Sequence, residues 1–351
     1  MSRTWLKWMP AAAVPAVIVV GVLAVPLQAG AAVDLPDKSP RQVLELAAGS
    51  SVDTFSGTLE QTSELGLPEL PSSGQTGGGD AASNELSDAL DLLSGDHTVR
   101  VYQNGPDQSR VQVQDTMAER NLIHNGDDVW LYDSADRTVV HTALPADADA
   151  AAAPRYTPGE LADRFLAEVT PSTIVSLGET TEVAGRSAYS LVLTPNTDDT
   201  LVGSVAIAVD SETGMPLSVQ VLARDAAEPA ASVAFSSLSL DAPDAALFDF
   251  TPPAGATVSE QTLPDGEPTD KPADSGVTVV GSGWDAVVSV PAADAAALAE
   301  LTASPLYAQL TDAVPGGRAI STTLVSVLIT TDGRVFAGSV PVERLQAVAA
   351  G

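Results

Sequence analysis

The chain has 351 residues, no cysteine, and 46 acidic against 16 basic side chains, for a net charge of −30. That charge repels nucleic acid and anionic headgroups, so binding through phosphate contact is excluded as a mode of action. The missing thiols exclude disulfides and a cysteine-linked lipid anchor, so stability outside the cell has to come from burial.

Arg3 and Lys7 precede an apolar run from Met9 to Leu27, and Ala29-Gly30-Ala31 supplies small residues suited to signal cleavage. Residues 1–31 therefore read as a secretory signal peptide, with a retained N-terminal membrane anchor as the alternative; three prolines in the run weaken the anchor. Beyond this segment about 320 residues remain, enough for one large domain and a small one. Lys38 and Lys271 are the only lysines left, and the excess of Ala, Asp and Arg reads as genomic GC bias.

Ser39-Pro40-Arg41-Gln42 is a capping box with proline at the first helical position, predicting a helix over Val43, Leu44, Leu46 and Ala47 that stops at Gly49. Thr54 to Thr62 alternates as a strand, and 65–82, rich in glycine and serine, reads as a flexible insertion. Thr98 to Gln103, Arg110 to Asp115 and Arg120 to His124 follow as strands. Asn125-Gly126 then turns the chain into Val129 to Tyr132, and Thr138 to Thr142 completes a long meander. After an Ala/Asp connector at 147–153, Thr157-Pro158-Gly159-Glu160 repeats the capping device and opens a helix with Leu161, Phe165, Leu166 and Val169 on one face. Five more period-two runs follow: Ile174 to Thr181, Ser187 to Pro195, Gly203 to Asp210, Leu217 to Ala223 and Ala231 to Leu240. Gly214 and Gly333 stand where their turns require positive φ. Ser259 to Gly276 is polar and Pro-rich and predicts a linker between a main domain, 34–258, and a small C-terminal α+β domain, 277–351, of unknown role.

Ten or eleven consecutive strands with few helices predict a mainly β (α+β) fold: one strongly curved antiparallel sheet, nearly closed, with helices available to cover its open face. Alternation places Phe55, Leu59, Val99, Val101, Val111, Val113 and Leu122 on one side of it, together with either Trp130/Tyr132 or Val129/Leu131. With Leu161 and Phe165 these form a candidate apolar lining for a ligand. The competing reading is that they pack on one another as core. Acyl chains would bind there at about 0.8 kcal/mol per methylene without polar contacts.

Chemistry finds little support. His97, His124 and His141 lie in or beside strands without metal-binding spacing, although His124 and His141 sit on separate meander strands that could approach each other. Gly281-Ser282-Gly283 has the wrong frame for a nucleophile elbow. Asp147 and Asp149 lack the rest of a calcium loop. No phosphate-binding or dinucleotide motif is present. No enzyme, metal or cofactor is expected.

The meander GDDVWLYDSADRTVV, the strand AGRSAYSLVLTP, the hairpin VAIAVDSETGMPLSVQV and the closing LFDFTPPAGATV, in this order with two capped helices, resemble the LolA/LolB-like superfamily, which includes lipoprotein carriers and the sigma-factor regulator RseB. Gly126, Trp130, Tyr132 and Asp133 carry one motif of the resemblance, Ala184 to Pro195 and Asp210 to Leu217 the others. It covers about 34–258. It implies an unclosed half-barrel wrapped around a helix, with a cavity for acyl chains. The chain departs from Gram-negative carriers in its Gly-rich insertion, its extra tail and its lack of a basic residue set aside for passing on cargo. The implied function is an exported, non-catalytic carrier in the cell envelope, binding lipid or lipoprotein acyl chains, with the insertion 65–82 and the helices as a lid. The alternative is an RseB-like regulatory or sensor module that binds a membrane protein partner.

Overall fold

The structure, a computed structural model, describes residues 34–66, 96–114, 118–144, 158–169, 171–262, 277–291 and 305–351. The expected signal or anchor at 1–31, most of the insertion 65–82, the connector 147–153 and positions 263–276 of the expected linker lie outside the described residues.

Helix α1 (Pro40–Ala48) begins as its sequence dictates. The Ser39 hydroxyl accepts from the Gln42 amide at 3.3 Å, and the Gln42 side chain accepts from the Ser39 amide at 2.8 Å. Six strands follow: β1 (Thr54–Ser63), β2 (His97–Asn104), β3 (Gln108–Gln114), β4 (Glu119–Asn125), β5 (Asp128–Asp133) and β6 (Thr138–Ala143). Helix α2 (Pro158–Val169) separates them from β7 (Thr173–Leu177), β8 (Thr181–Val183), β9 (Arg186–Pro195), β10 (Val202–Asp210), β11 (Pro216–Ala223), β12 (Pro229–Ser239) and β13 (Thr257–Thr262).

These strands form one large, curved sheet in the order β13-β6-β5-β4-β3-β2-β1-β12-β11-β10-β9-β7, with β8 also on β9; its end strands do not pair, so it stays open. Gly126 and Gly214 take φ of +61° and +75°, the left-handed conformation their turns demand.

Two segments differ from the sequence expectation. Ile174 to Thr181, expected as one strand, breaks at Gly178, and its two pieces pair with separate stretches of β9: Thr173–Leu177 with Leu191 to Pro195, and Thr181–Val183 with Arg186 to Ala188. Thr257–Thr262 overlaps the start of the expected linker but is a strand in parallel register with β6. Its sequence lacks the alternation that marks the other strands because, as an edge strand, it buries little: Val258 is 45% exposed.

Helix α1 packs Val43, Leu44, Leu46 and Ala47 against Tyr189, Leu191, Ile207 and Val209 of β9 and β10. The β10–β11 turn meets the end of the helix so closely that a side chain at Gly214 would overlap the Leu46 carbonyl oxygen. Arg41 joins the helices, donating from Nε and Nη2 to the two carboxylate oxygens of Asp163 on α2 at 2.7 and 3.0 Å.

A second sheet has the order β14-β15-β19-β18-β17-β16, from β14 (Thr278–Val280), β15 (Val287–Val290), β16 (Asp312–Val314), β17 (Gly317–Ser321), β18 (Ser326–Thr330) and β19 (Val335–Gly338). Helix α3 (Pro305–Leu310) precedes β16, and α4 (Val342–Ala350) closes a core of Val287, Ala319, Leu328, Phe336, Val340 and Leu345.

Candidate functional site

Directly paired residues of neighbouring strands point to the same side of a sheet, so the register assigns each predicted lining residue to a face. Phe235, Leu59, Val99 and Val113 form one cross-strand row. Gly57, Val101, Val111, Leu122 and Leu131 form the next row on that face. Followed through β12, β11 and β10, the same face carries Ile207 and Leu191, the residues on which α1 sits. We call it the inner face.

The structure brings Leu59, Val99, Val101, Val111 and Val113 together there with Leu217 and Phe235, while Phe55 and Leu122 pack on the rim of this cluster. Each of the five is at most 9% exposed. The Phe235 ring meets Phe55 edge-on, with centroids 6.2 Å apart, and fills the space left over Gly57, where a methyl group would come within 2.7 Å of it.

Trp130 and Tyr132 are placed elsewhere. They pair with Ile123 and Asn121 and point to the outer face, so the partners of Leu122 on the inner face are Val129 and Leu131. The outer pair packs against Phe250 at 5.6 and 5.9 Å, and Trp130 stacks on His141 with centroids 3.9 Å apart. The segment after β12 thus folds back over the outer face, held also by Arg110, which donates to the Leu247 carbonyl at 3.0 Å and to Asn121. Phe165 on α2 is 36% exposed, and the side chain of Leu161 lies outside the described residues.

The histidine pair does not meet: His124 faces Val129 on the inner face and His141 faces Trp130 on the outer one. Among the described residues no group of three or more His, Cys, Asp or Glu could hold a metal ion. Gly281-Ser282-Gly283 forms a knuckle with both glycines at positive φ, and it presses Gly283 on Ser172 while the Trp284 indole donates to the Thr173 hydroxyl at 2.7 Å. Its role is docking.

That docking is the part of the site that sequence reasoning missed. Leu324, between β17 and β18, is 7% exposed and buried in a cluster of Leu193, Val202, Val205, Val221, Ala223 and Ala231 on the large sheet. The Ser339 carbonyl accepts from the Leu201 amide at 2.8 Å and from the Thr200 hydroxyl at 2.7 Å. Thr323 donates from its amide to Leu65 and from its hydroxyl to Glu64. The inner face is therefore occupied by α1 at one end of β9 and β10 and by the second sheet at the other. Leu324 sits in the short turn Thr322 to Val325 between two strands, too brief a stretch to carry a period by which a sequence could announce this contact.

A buried carboxylate with a partly exposed arginine, which also bonds the exposed Glu212 at 2.9 Å, anchors the region below α1. Asp210, 1% exposed, accepts from Arg186 Nε and Nη2 at 3.0 and 2.7 Å and from the Thr213 hydroxyl. Burial opposes its charge, but these hydrogen bonds prevail and hold its pKa below the ordinary carboxylate value.

Residues 93–265 match the family model of the MucB/RseB N-terminal domain. No curated protein matches the chain. Among solved structures, a chain of the MucA/MucB complex of Pseudomonas aeruginosa is 17% identical, with 88% of this chain and 96% of that chain covered and a TM-score of 0.45. An uncharacterized conserved protein from Thermus thermophilus is 11% identical, over 63% and 98% of the two chains, at 0.36. A LolA superfamily protein from Nitrosomonas europaea is 12% identical, over 61% and 99%, at 0.24. The family model and the motifs of the meander and hairpins thus make residues 93–265 similar to the MucB/RseB N-terminal domain, and support a LolA/LolB/RseB-like family for this part of the chain.

Proposed function

We propose that this chain is an exported, non-enzymatic regulatory module of the RseB kind, working in the cell envelope through a membrane protein partner. The observation that carries this reading is the shared cluster around Leu324, which joins the second sheet to the first as one body presenting a composite surface. A passive carrier needs only the large sheet. In this conformation, moreover, five of its predicted lining residues are closed into core with Leu217 and Phe235.

The carrier reading remains as the second one, favoured by the purely aliphatic rows of the inner face. In it the half-barrel opens, and acyl chains replace the packing around Phe55, Leu122 and Phe165. Crosslinking of the full-length protein in its own cells, paired with mass spectrometry of the organic extract of the purified protein, separates the two. A membrane protein recovered with an empty extract supports the regulator. A stoichiometric acyl-chain species without a protein partner makes it a carrier.

A further inference from the structure

β13 is the one parallel strand among the described residues of the large sheet, running from Thr257 opposite Thr138 to Thr262 opposite Ala143 at the open edge. Little apolar area holds it there. On the outer face, however, a side-chain bridge crosses three strands. His141 on β6 meets Glu260 of β13 through Nδ1 at 2.7 Å and Asp128 of β5 through Nε2 at 2.7 Å, with its ring stacked on Trp130 at an interplanar angle of 17°.

A neutral imidazole has a single N–H. It can donate to one of these carboxylates and must turn a lone pair toward the other at the same short distance. Only the imidazolium donates to both. We propose that this bridge is a pH-set fastener: with His141 protonated, Glu260 and its strand are held to the Asp128–Trp130 platform, and with His141 neutral one carboxylate is released and β13 loosens from the edge.

The surroundings fit the role. Asp128 from β5 and Glu260 from β13 are the ionisable groups that face the ring, and on its own strand Val139 and Ala143 share its side. Arg110, in the same cross-strand row, stands three strands away and is engaged with Asn121 and the Leu247 carbonyl. Burial works against the charge on His141, but the hydrogen bonds to Asp128 and Glu260 outweigh it and raise its pKa above the ordinary value. A histidine raised in the folded state contributes its full stabilisation below its unfolded pKa and loses it as pH climbs through the folded one, so the edge loosens on the alkaline side. Glu260 is 71% exposed, and solvent screening limits the effect to a modest factor.

The test is amide exchange of the full-length protein from about pH 6 to about pH 9, corrected for intrinsic exchange, with an NMR titration of the His141 ring alongside. The expected result is that protection over Thr257–Thr262 falls roughly three- to tenfold as the ring deprotonates, while α1 and β10 hold theirs. His141→Gln and Glu260→Gln should give flat, weakly protected profiles, whereas His124→Gln should keep the pH dependence. A ring that titrates at or below the value of free histidine overturns the proposal, as does a wild-type profile that stays flat while the ring titrates. Both readings come from the unaltered protein, so a variant that fails to fold leaves the decision intact.

Discussion

Two cation–carboxylate contacts fasten opposite parts of the large sheet, and burial separates their roles. At the end of β10, Asp210 is 1% exposed and bound by Arg186 and Thr213 under the turn that abuts α1. At the open edge, Glu260 is 71% exposed and its partner is His141, whose pKa is held above the ordinary value, against burial, by its hydrogen bonds to Asp128 and Glu260. A buried carboxylate with a permanent guanidinium is a fixed rivet. An exposed carboxylate on a histidine is adjustable, because water softens the loss of either partner.

The sharpest way to break this comparison is Asp210→Ala, which removes the main partner of Arg186 and leaves it Glu212 and solvent. A loss of about 2–4 kcal/mol is expected in denaturant unfolding; a loss below about 1 kcal/mol would falsify the assignment of Asp210 as a buried anchor. Next in size comes Leu324→Ala, which empties the cluster where the second sheet sits and should cost about 2–4 kcal/mol. Equal loss of protection in β10 and β18 by hydrogen exchange would mark the two sheets as one cooperative unit.

Lowering the pH sharpens the contrast with opposite sign. The Asp210 pKa is depressed, so its contribution is present above the ordinary carboxylate pKa and disappears as pH falls through the lower folded value. Stability of the wild type should therefore decline below about pH 4, and in Asp210→Asn the slope there should flatten. Ser39→Ala, which removes the α1 cap, should cost about 1 kcal/mol. Glu260→Gln should change global stability by only a few tenths of a kcal/mol while still altering exchange at β13.

Much of the fold is legible in the chain because its signals are local. The Ser39–Gln42 box, Gly126, Gly214 and Gly333 and the alternating runs each specify their own conformation within a few residues, and the structure follows them. What escaped depends on distant partners. Period two shows that Trp130 and Leu131 take opposite faces, but which of them joins Leu122 is fixed by the register of β4 with β5. β13 has no apolar alternation because its inner neighbour, β6, supplies nearly everything it needs through the backbone ladder. Glu260 and His141 are 119 residues apart, and Leu324 finds its pocket on strands formed more than 90 residues earlier. No local pattern encodes such meetings.

The parallel edge strand has a mechanical consequence. β13 ends at Thr262 on one outer border of the large sheet, and Trp284 is bonded to Thr173 of β7 on the other border. Thr262 and Trp284 are therefore two anchors of one covalent chain on opposite limbs of an open sheet. A trans chain reaches no more than about 3.5 Å per residue, so their separation in sequence sets an upper limit on how far the limbs can spread while both anchors hold. Releasing β13 removes that limit.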